Sequence, residues 1–372
     1  MKKKIKLIIF HPYSYLGGAD NSLSRLINNL NLKKFSILFL SLNNSYLKKT
    51  LGKKISFKTI NVSRSLLSIP KLRNEILNIN ERKYKKIIII SNQNFANIIS
   101  YFATLNLKNI KKIFIDRNHL DELKFHSNFK EKIKKKIIKI LMRFTYPKAD
   151  KIIGICKKLS DDLGHFIGKK VDTIYSPSFD KSIIDKSLKR NSLSGKYKYI
   201  LNVSRFSKRK DHITTLKAFK IVSDKIRNIK LILIGYGPEH KKIINYAKEL
   251  KIYKKLIVVN KTYNPYTYMK KSKLLILTSV YEGFPNVLVE SLTIGTPVIS
   301  TNCNAGASEI LLNGKGGELI KIGDYKKLSD KIIAFFKSPK KLKFKTKLAR
   351  KNLYRFGLKR HAKIYTNIFQ KI

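Results

Sequence analysis

Two glutamates that flank a glycine turn are the residues of this sequence best placed for chemistry. Glu282 and Glu290 are separated by Gly283 and by apolar residues at helical spacing. Pro285 stands where a first helical position is expected, because a helix has no use there for the N–H that proline lacks. The segment predicts a helix that starts between two carboxylates and stops at Gly295.

The neighbouring elements determine what this helix start could bind. Residues 274–279 are an apolar run of strand length, and residues 296–301 predict the next strand. A helix that begins at the carboxyl end of a parallel strand directs free N–H groups and its positive dipole end toward a ligand. The working hypothesis is therefore one half of a pocket for a phosphate and a sugar.

A basic loop follows the first strand of the same half of the chain. Arg205 and Lys210 come after the predicted strand 199–204 and before a helix that starts near Asp211. If the loop curls, both cations face one point and would neutralise a diphosphate leaving group. In a chain with 80 Lys and Arg this spacing alone means little, so its weight comes from its position at the end of a strand.

The two glutamates have two rival interpretations. They could be the paired carboxylates of a glycoside hydrolase, or acids on the surface of a helix. The hydrolase is disfavoured because one acid lies in a turn and the other on a helix, beside a phosphate-type site that a hydrolase does not need. Surface acids are disfavoured because only 23 acids stand against 80 basic residues, so two beside one turn are less expected by chance.

Length and patterning predict an α/β protein with two domains. The 372 residues, 43% of them hydrophobic, suffice for two cores. Short apolar strands alternate with helical segments in both halves, which predicts two parallel sheets. The predicted strands are 5–10, 35–42, 86–91, 112–116 and 151–156, then 199–204, 230–235, 256–260, 274–279, 296–301 and 317–320. Residues 1–175 and 195–345 are assigned to the domains, 176–194 to a linker, and 346–372 to a helix that packs back on the first domain.

The first half offers two further candidates. Gly17 and Gly18 follow the first strand and precede a helix capped by Asp20 or Asn21, as in a nucleotide-binding unit. A plain tight turn explains the glycines equally well, since no G-x-G-x-x-G is present. His119 lies just beyond another strand, where it either faces a ligand or serves the structure.

The formal net charge of +57 is the most extreme feature of the composition. Part of it reflects lysine-rich usage throughout, and the rest predicts attraction to phosphates, nucleic acid or an anionic bilayer. Residues 129–144 predict a basic helix whose apolar stripe either lies in a membrane interface or packs on the sheet. The stripe consists of Phe129, Ile133, Ile137, Ile140, Leu141 and Phe144.

Several patterns bear on location and on metals. Cys156 and Cys303 have neither disulfide nor metal-ligand spacing, which fits a reducing compartment. No run is long enough to span a membrane, and the first apolar run is too short for a signal peptide, so a cytoplasmic location is expected. The absence of Asp-x-Asp predicts no metal clamp on a diphosphate.

Several motifs of this sequence resemble those of one known enzyme family. Residues 282–290, EGFPNVLVE, resemble the E-x7-E signature of the retaining glycosyltransferases of family 4. Similar motifs in family order are Gly17-Gly18-Ala19, Arg205 with Lys210, Gly235-Tyr236-Gly237-Pro238, Asn264-Pro265-Tyr266, residues 295–299 and Glu309-Ile310-Leu311. The similarity covers nearly the whole chain and is most specific from Asn202 to Glu318. It implies the GT-B fold, two Rossmann-like domains facing across a cleft.

The resemblance implies a role for each site residue. Arg205 and Lys210 would hold the nucleotide diphosphate, Glu282 the hydroxyls of the donor sugar, and Glu290 the ribose. The phosphate and the sugar would be surrounded by the backbone of Gly283, Phe284, Pro285 and Asn286. From the first domain, Gly17 and Gly18 would close on the diphosphate, and His119 would lie near the transferred sugar.

The implied activity is metal-independent transfer of a hexosyl or N-acetylhexosaminyl group with retention. A UDP-sugar is the expected donor, and the acceptor is a glycan or lipid-linked glycan of a surface polysaccharide, lipopolysaccharide or glycoprotein. Peripheral contact with the inner face of the cytoplasmic membrane through 129–144 is expected. One alternative, a nucleic-acid-binding protein, predicts base-stacking aromatics or a known module that the sequence lacks. The other, a silent GT-B scaffold, is disfavoured because all four charged motif positions are filled.

Overall fold

The computed structural model describes residues 3–13, 17–42, 46–62, 65–126, 128–260, 262, 264–303 and 305–372. The chain forms two compact units. Unit 1 comprises Met1–Pro177 with Leu358–Ile372, and unit 2 comprises Ser178–Gly357.

Unit 1 contains a seven-stranded parallel sheet between helices. Its strands are β1 (Ile5–Phe10), β2 (Phe35–Ser41), β3 (Ser56–Thr59), β4 (Lys86–Asn92), β5 (Ile110–Asp116), β6 (Lys151–Gly154) and β7 (Asp172–Thr173). The helices between them are α1 (Gly18–Asn28), α2 (Ser68–Leu77), α3 (Asn94–Ala103), α4 (Phe129–Thr145) and α5 (Lys157–Ile167). The strand order is β3-β2-β1-β4-β5-β6-β7, in which Ile8 of β1 is paired with Leu38 and Ile89.

Unit 2 contains a six-stranded parallel sheet of the same kind. Its strands are β8 (Lys198–Val203), β9 (Ile229–Ile234), β10 (Leu256–Val259), β11 (Leu274–Leu277), β12 (Val298–Thr301) and β13 (Glu318–Ile320). Its helices are α6 (Ser182–Ser187), α7 (His212–Lys225), α8 (His240–Glu249), α9 (Tyr266–Lys271), α10 (Asn286–Ile294), α11 (Ala307–Ile310), α12 (Tyr325–Lys337) and α13 (Lys340–Lys351). The strand order is β10-β9-β8-β11-β12-β13. A last helix, α14 (Leu358–Lys371), belongs to unit 1.

The strands form where the sequence has short, nearly continuous apolar runs, because both faces of each sheet are covered. Leu7, Ile8 and Ile89 are fully buried in unit 1, as are Leu231 and Ile276 in unit 2. All the predicted strands are present, with ends that differ by a few residues. The short edge strands β3 and β7 were not predicted, since β3 is half exposed and β7 has only two residues.

The domain limits drawn from the sequence differ from the units at two places. The stretch 176–194 is not a plain linker, because it contains α6, whose Ile183 is fully buried in unit 2. Six residues are too few to show a helical period in the sequence. The tail 346–372 is not one helix: α13 ends at Lys351, and a short turn buries Leu353 and Phe356 before α14 begins.

Helix α14 packs within unit 1. The ring of Phe369 meets that of Phe35 edge-on at 5.7 Å, and Lys86 Nζ donates to the carbonyl oxygen of Ile372 (2.6 Å). Of the aromatic residues in the tail, Tyr365 and Phe369 are buried on this helix. Tyr354 is exposed, because it lies in the turn rather than on a helix face.

Helix α4 presents five of the six residues of its apolar stripe to solvent. Exposed fractions are 71% for Phe129, 45% for Ile133, 50% for Ile137, 60% for Ile140 and 51% for Phe144. The residues that α4 buries are instead Met142 and Thr145, near its end. The interpretation in which the stripe packs on the sheet is therefore wrong, because α4 packs against the rest of unit 1 through a different side. None of the described helices is both long and apolar enough to cross a membrane.

Candidate active site

The two charged loops of unit 2 start at neighbouring strands. Arg205 and Lys210 follow β8, and Glu282 follows β11, which pairs directly with β8. Successive strands are added outward from β8 on one side and from β11 on the other, so the strand order reverses between them. In parallel α/β sheets ligands bind at the carboxyl ends of strands at such a reversal.

The backbone at Lys210 is fixed by two neighbouring elements. Residues 208–210 form a single 3₁₀ turn, after which Asp211 adopts a left-handed conformation (φ 43°) and caps α7. Its carboxylate accepts hydrogen bonds from the backbone N–H (3.1 Å) and hydroxyl (2.6 Å) of Thr214. From the end of β11, the Thr278 hydroxyl donates to the carbonyl oxygens of Lys210 (3.0 Å) and Asp211 (2.9 Å). The side chain of Lys210 is thereby directed toward the residues that follow β11.

There Lys210 forms an ion pair with Glu282. The Lys210 ammonium contacts Glu282 Oε1, and the hydroxyl of Ser279 donates to the same oxygen (2.6 Å). Both charged residues are buried, with 9% of Lys210 and 5% of Glu282 exposed. A buried charge is tolerated only with a partner, so each of these residues depends on the other.

The pKa values reflect this burial. Burial lowers the pKa of Lys210, and the attraction of Glu282 opposes it only in part. Burial alone would raise the pKa of Glu282, but Lys210, Arg209 and the hydrogen bonds to its carboxylate together lower it. Burial raises the pKa of the nearby Cys303 thiol to about 12, so this cysteine is a neutral packing residue, consistent with its lack of any activating pattern in the sequence.

The turn after Glu282 leads into α10, whose first helical residue is Asn286. Pro285 is the N-cap, with a non-helical ψ of 83°, so the helix starts one residue later than predicted. Gly295 ends it in a left-handed conformation (φ 97°), as the sequence indicated. Among the backbone groups expected at the ligand, Pro285 has no N–H, and that of Asn286 donates to the carbonyl oxygen of Phe284 (2.9 Å).

Two contacts hold this turn. The buried ring of Phe284 packs edge-on against Phe356 at 5.1 Å. On the other side lies Gly306 (φ +70°), where a Cβ atom would come within 2.8 Å of the Gly283 carbonyl oxygen and 2.9 Å of Pro285 Cδ. Only glycine fits this position, and its fit places the backbone of the turn.

Glu290 lies one turn into α10 and is also buried. The hydroxyl of Tyr266, at the start of α9, donates to Glu290 Oε1 (3.3 Å). Because α9 and α10 pack together, this contact orients the carboxylate from a neighbouring helix.

The Gly235-x-Gly237 turn supports the loop that carries Arg205. A Cβ atom on Gly235 would lie 2.0 Å from the carbonyl oxygen of Ser204, and one on Gly237 would lie 2.3 Å from that of Phe206. The backbone N–H of Phe206 donates to the carbonyl oxygen of Tyr236 (2.8 Å). The two glycines thus let one loop backbone lie directly on the other.

The remaining cations of this loop differ in exposure. The side chain of Arg205 is exposed at the start of the loop, whereas Arg209 is half-buried beside Tyr281. The sequence patterns did not indicate Arg209, Ser279, Gly306 or the contact of Tyr266 with Glu290. Their signals were weak: a cation among 80 Lys and Arg, a serine three residues before Glu282, and a glycine distant in sequence.

Gly17 and Gly18 lie in unit 1, where they start α1. Gly17 is the N-cap, and its N–H donates to Asp20 Oδ2 (3.3 Å), while Asp20 Oδ1 contacts His11 Nε2 (3.0 Å). Asp20 is therefore the third helical residue rather than the cap, because the helix begins three or four residues earlier than predicted. Apart from its chain neighbours, none of the described residues has an atom within 4 Å of a Cβ built on Gly17, so their packing does not require glycine there.

His119 lies within a cluster of carboxylates. Its Nε2 is 2.7 Å from Asp162 Oδ2, and its Nδ1 is 2.9 Å from Asp121 Oδ2. The residue is 5% exposed. These contacts fix the ring on both sides, so His119 is held by α5 and by its own loop.

A buried polar network lies next to it at the end of β5. Burial raises the pKa of Asp116 to about 7, although the Tyr146 hydroxyl donates to its carboxylate (2.9 Å) and opposes the shift. Burial also lowers the pKa of Arg117, whose guanidinium donates to Asn92 Oδ1 (3.0 Å) and Ser22 Oγ (3.2 Å). Arg117 thus links β4 and α1 at the carboxyl edge of the sheet.

Unit 2 brings together Lys210, Glu282 and the turn that starts α10. A cavity of about 420 Å³ lies near the opposite end of α10 and is separate from them. Its lining residues are Phe179, Lys181, Ile184, Thr293, Lys347, Arg350, Lys351 and Leu353, none of which belongs to the predicted site.

Comparison with known proteins gives matches in sequence and in fold. The family model of glycosyl transferases group 1 matches residues 184–352. The N-acetylgalactosamine-N,N'-diacetylbacillosaminyl-diphospho-undecaprenol 4-alpha-N-acetylgalactosaminyltransferase of Campylobacter jejuni is 32% identical over 53% of this chain and 52% of its own length. N-acetyl-alpha-D-glucosaminyl L-malate synthase of Bacillus anthracis is 27% identical over 58% of this chain and 57% of its length. The chain thus spans little more than half of these curated relatives.

The likeness in fold extends over the whole chain. The crystal structure of Anabaena HepE in complex with UDP and glucose superimposes with a TM-score of 0.82 and covers 100% of both chains at 18% identity. At this identity the match concerns the fold alone. It confirms the predicted class, GT-B with two Rossmann-like parallel sheets.

Proposed function

We propose that this chain, whose residues 184–352 belong to the glycosyl transferases of group 1, transfers a sugar from a nucleotide-sugar donor to an acceptor in surface-glycan assembly. The buried Lys210–Glu282 pair at the carboxyl ends of β8 and β11, beside the start of α10, carries the proposal. The Glu282 carboxylate of this pair can accept hydrogen bonds from sugar hydroxyls. It lies beside cations and a helix N-terminus, and both of these favour the binding of phosphate.

The donor is held from both ends. Glu282 Oε1 is occupied by Lys210 and Ser279, so Oε2 is the oxygen that accepts a hydroxyl of the donor sugar. Glu290, oriented by Tyr266, accepts hydrogen bonds from the ribose. HepE, which shares the fold, was crystallised with UDP and glucose, and this supports UDP as the nucleotide. The names of the curated relatives support a hexosyl or N-acetylhexosaminyl group.

Transfer occurs with retention and without a metal ion. The acceptor hydroxyl oxygen forms a bond to the anomeric carbon while the bond from that carbon to the phosphate oxygen breaks. The hydroxyl proton passes to the departing phosphate oxygen on the same face of the sugar. Arg205 and Lys210 stabilise the leaving group, so catalysis rests on positioning and charge. Gly17, Gly18 and His119 would contribute from unit 1, the first two at the diphosphate and His119 near the transferred sugar.

The acceptor is a lipid-linked glycan, reached from an anionic membrane surface through α4. The exposed apolar stripe of α4 is bordered by the exposed lysines Lys130, Lys132, Lys134 and Lys136. An apolar face that enters the headgroup region, with cations beside it that meet anionic lipid, is the arrangement of an interfacial helix. The diphospho-undecaprenol in the name of the Campylobacter relative supports such an acceptor. The protein would then lie at the inner face of the cytoplasmic membrane.

A screen of nucleotide sugars tests the activity. A bound donor raises the melting temperature because it binds only the folded chain. The sugar that gives the largest rise is then offered with lipid-linked glycan extracts, and the product is analysed for anomeric configuration, with and without EDTA. Absence of any stabilising nucleotide sugar would contradict the proposal. An inverted product, or transfer abolished by EDTA, would contradict retention or metal independence alone.

Vesicle flotation tests the membrane contact separately. The chain should float with phosphatidylglycerol vesicles and not with phosphatidylcholine vesicles. Ile137→Glu should abolish flotation, because it places a charge in the middle of the stripe. Leu77→Ser is the matched control, since Leu77 is 55% exposed on another helix of unit 1. Equal flotation of wild type and Ile137→Glu would exclude α4 as the contact.

A further inference from the structure

The buried ion pair changes the charge balance of the proposed donor site. Each phosphate of a nucleotide-sugar diphosphate carries a negative charge at neutral pH. Lys210 is in contact with Glu282, so its positive charge is already offset within the protein. Arg205 together with the Lys210–Glu282 pair supplies one net positive charge, so a diphosphate with two negative charges needs a further cation.

Arg209 is a further cation close to this ion pair. It stands in the turn directly before Lys210, and its carbonyl oxygen accepts a hydrogen bond from the N–H of Val280 (2.8 Å). Its guanidinium carbon lies 5.7 Å from the centre of the Tyr281 ring. Tyr281 immediately precedes Glu282, so Arg209 is held against the loop that carries the sugar-binding carboxylate.

The electrostatics place this guanidinium near both members of the pair. Burial lowers the pKa of Lys210, the attraction of Glu282 raises it, and the repulsion of Arg209 lowers it further. The pKa of Glu282 is raised by burial and lowered first by Lys210 and then by Arg209. Arg209 is half-buried, in contrast to the exposed Lys208 beside it.

We infer that Arg209 binds the diphosphate of the donor together with Arg205 and Lys210, as a third cation that offsets the charge of Glu282. An aromatic ring restrains a guanidinium and leaves its N–H groups available, and these groups match phosphate oxygens in pairs. Arg209 is thus a binding residue in its own right rather than one of many surface cations. The inference rests on the proposed function, because it assumes a diphosphate ligand.

Binding of UDP and uridine to the full chain tests the inference. Arg209→Gln should weaken UDP binding by about tenfold or more, the loss expected for one charge-assisted contact, and leave uridine binding unchanged. Arg209→Lys keeps the charge without the fork of donors and should lose less. Lys208→Gln removes the same charge from the exposed neighbouring position and should bind UDP like the wild type.

The outcomes separate the inference from the proposed function. If the wild type binds none of UDP, CDP, GDP and ADP, the proposed function fails and the inference with it. If the wild type binds one of them and Arg209→Gln binds it equally well, only the inference is overturned. Should Arg209→Gln not fold, as judged by circular dichroism, Arg209→Lys decides: a weaker diphosphate complex supports the role, and an unchanged one overturns it. A loss in Lys208→Gln as large as that in Arg209→Gln also overturns it, because it would reflect general charge.

Discussion

Lys210 and Glu282, 72 positions apart in sequence, form an ion pair in which both side chains are buried at the carboxyl ends of two paired strands. A buried pair of this kind contributes little to stability by itself, whereas loss of one partner leaves an uncompensated charge. Stability and activity measurements on single and double variants can therefore separate the structural role of the pair from its role in transfer.

The first prediction concerns that distinction. Lys210→Met or Glu282→Gln alone should lower the free energy of unfolding by about 3–5 kcal/mol and abolish transfer. The double variant should recover much of the lost stability, because no charge remains buried alone, and should still be inactive. Urea unfolding and a transfer assay measure the two properties. A double variant as unstable as the single variants, or one that transfers sugar, would contradict this account.

The second prediction concerns the glycine turn beneath Arg205. Gly235→Ala places a Cβ atom 2.0 Å from the Ser204 carbonyl oxygen, so the loop backbone must move. We expect a loss of about 1–3 kcal/mol in stability and weaker nucleotide binding. Gly195→Ala is the control, since no described residue other than its chain neighbours has an atom within 4 Å of its Cβ position. Thermal unfolding with and without UDP measures both effects, and equal behaviour of the two variants would refute the steric argument.

The third prediction separates contact from backbone strain at the start of α10. Gly306→Ala forces a Cβ atom against Gly283 and Pro285 at a positive φ, whereas Gly314→Ala has a positive φ (+89°) without any neighbour within 4 Å. Both should lose stability through strain. Only Gly306→Ala should also lower kcat/KM, by about tenfold to hundredfold, because it displaces the turn at the donor. A similar fall in Gly314→Ala would show that strain alone is responsible.

The fourth prediction is a pH dependence from Asp116. Its pKa of about 7, raised by burial, exceeds that of an aspartate in the unfolded chain. Between about pH 4 and pH 7 the folded state keeps a proton that the unfolded state loses, so stability falls by about 1.4 kcal/mol per pH unit as pH rises. Stability from this group is complete below the unfolded pKa and is lost as pH rises through the folded pKa.

Asp116→Asn should remove this contribution. The difference in free energy of unfolding between wild type and variant should change with pH in that window and level off above it. The difference matters rather than the wild-type curve, because burial together with repulsion by Lys210 lowers the pKa of His212 to about 3, and this gives a slope of opposite sign. A difference that is constant from pH 4 to pH 8 would show that Asp116 ionises freely.

Local sequence patterns determined most of the fold. Buried parallel strands need nearly continuous apolar residues, so β1 and β11 were visible as runs such as Ile5–Phe10 and Leu274–Leu277. Gly295 ended α10 as expected, because a left-handed residue stops a helix at low cost only if it is glycine. The short edge strand β7 and the six-residue α6 were not predicted, since neither is long enough to show a period.

The sequence by itself also determined that Arg205 and Lys210 follow one strand and Glu282 and Glu290 another, and parallel strands end at one edge of a sheet. Only the tertiary structure decided that Lys210 pairs with Glu282, that Tyr281 holds Arg209 and that Gly306 supports the turn at Gly283. The same holds for α4, whose apolar stripe is exposed. The physical reason is common to all of them: periodicity fixes which residues share a face, but the partner of that face comes from elements distant in sequence.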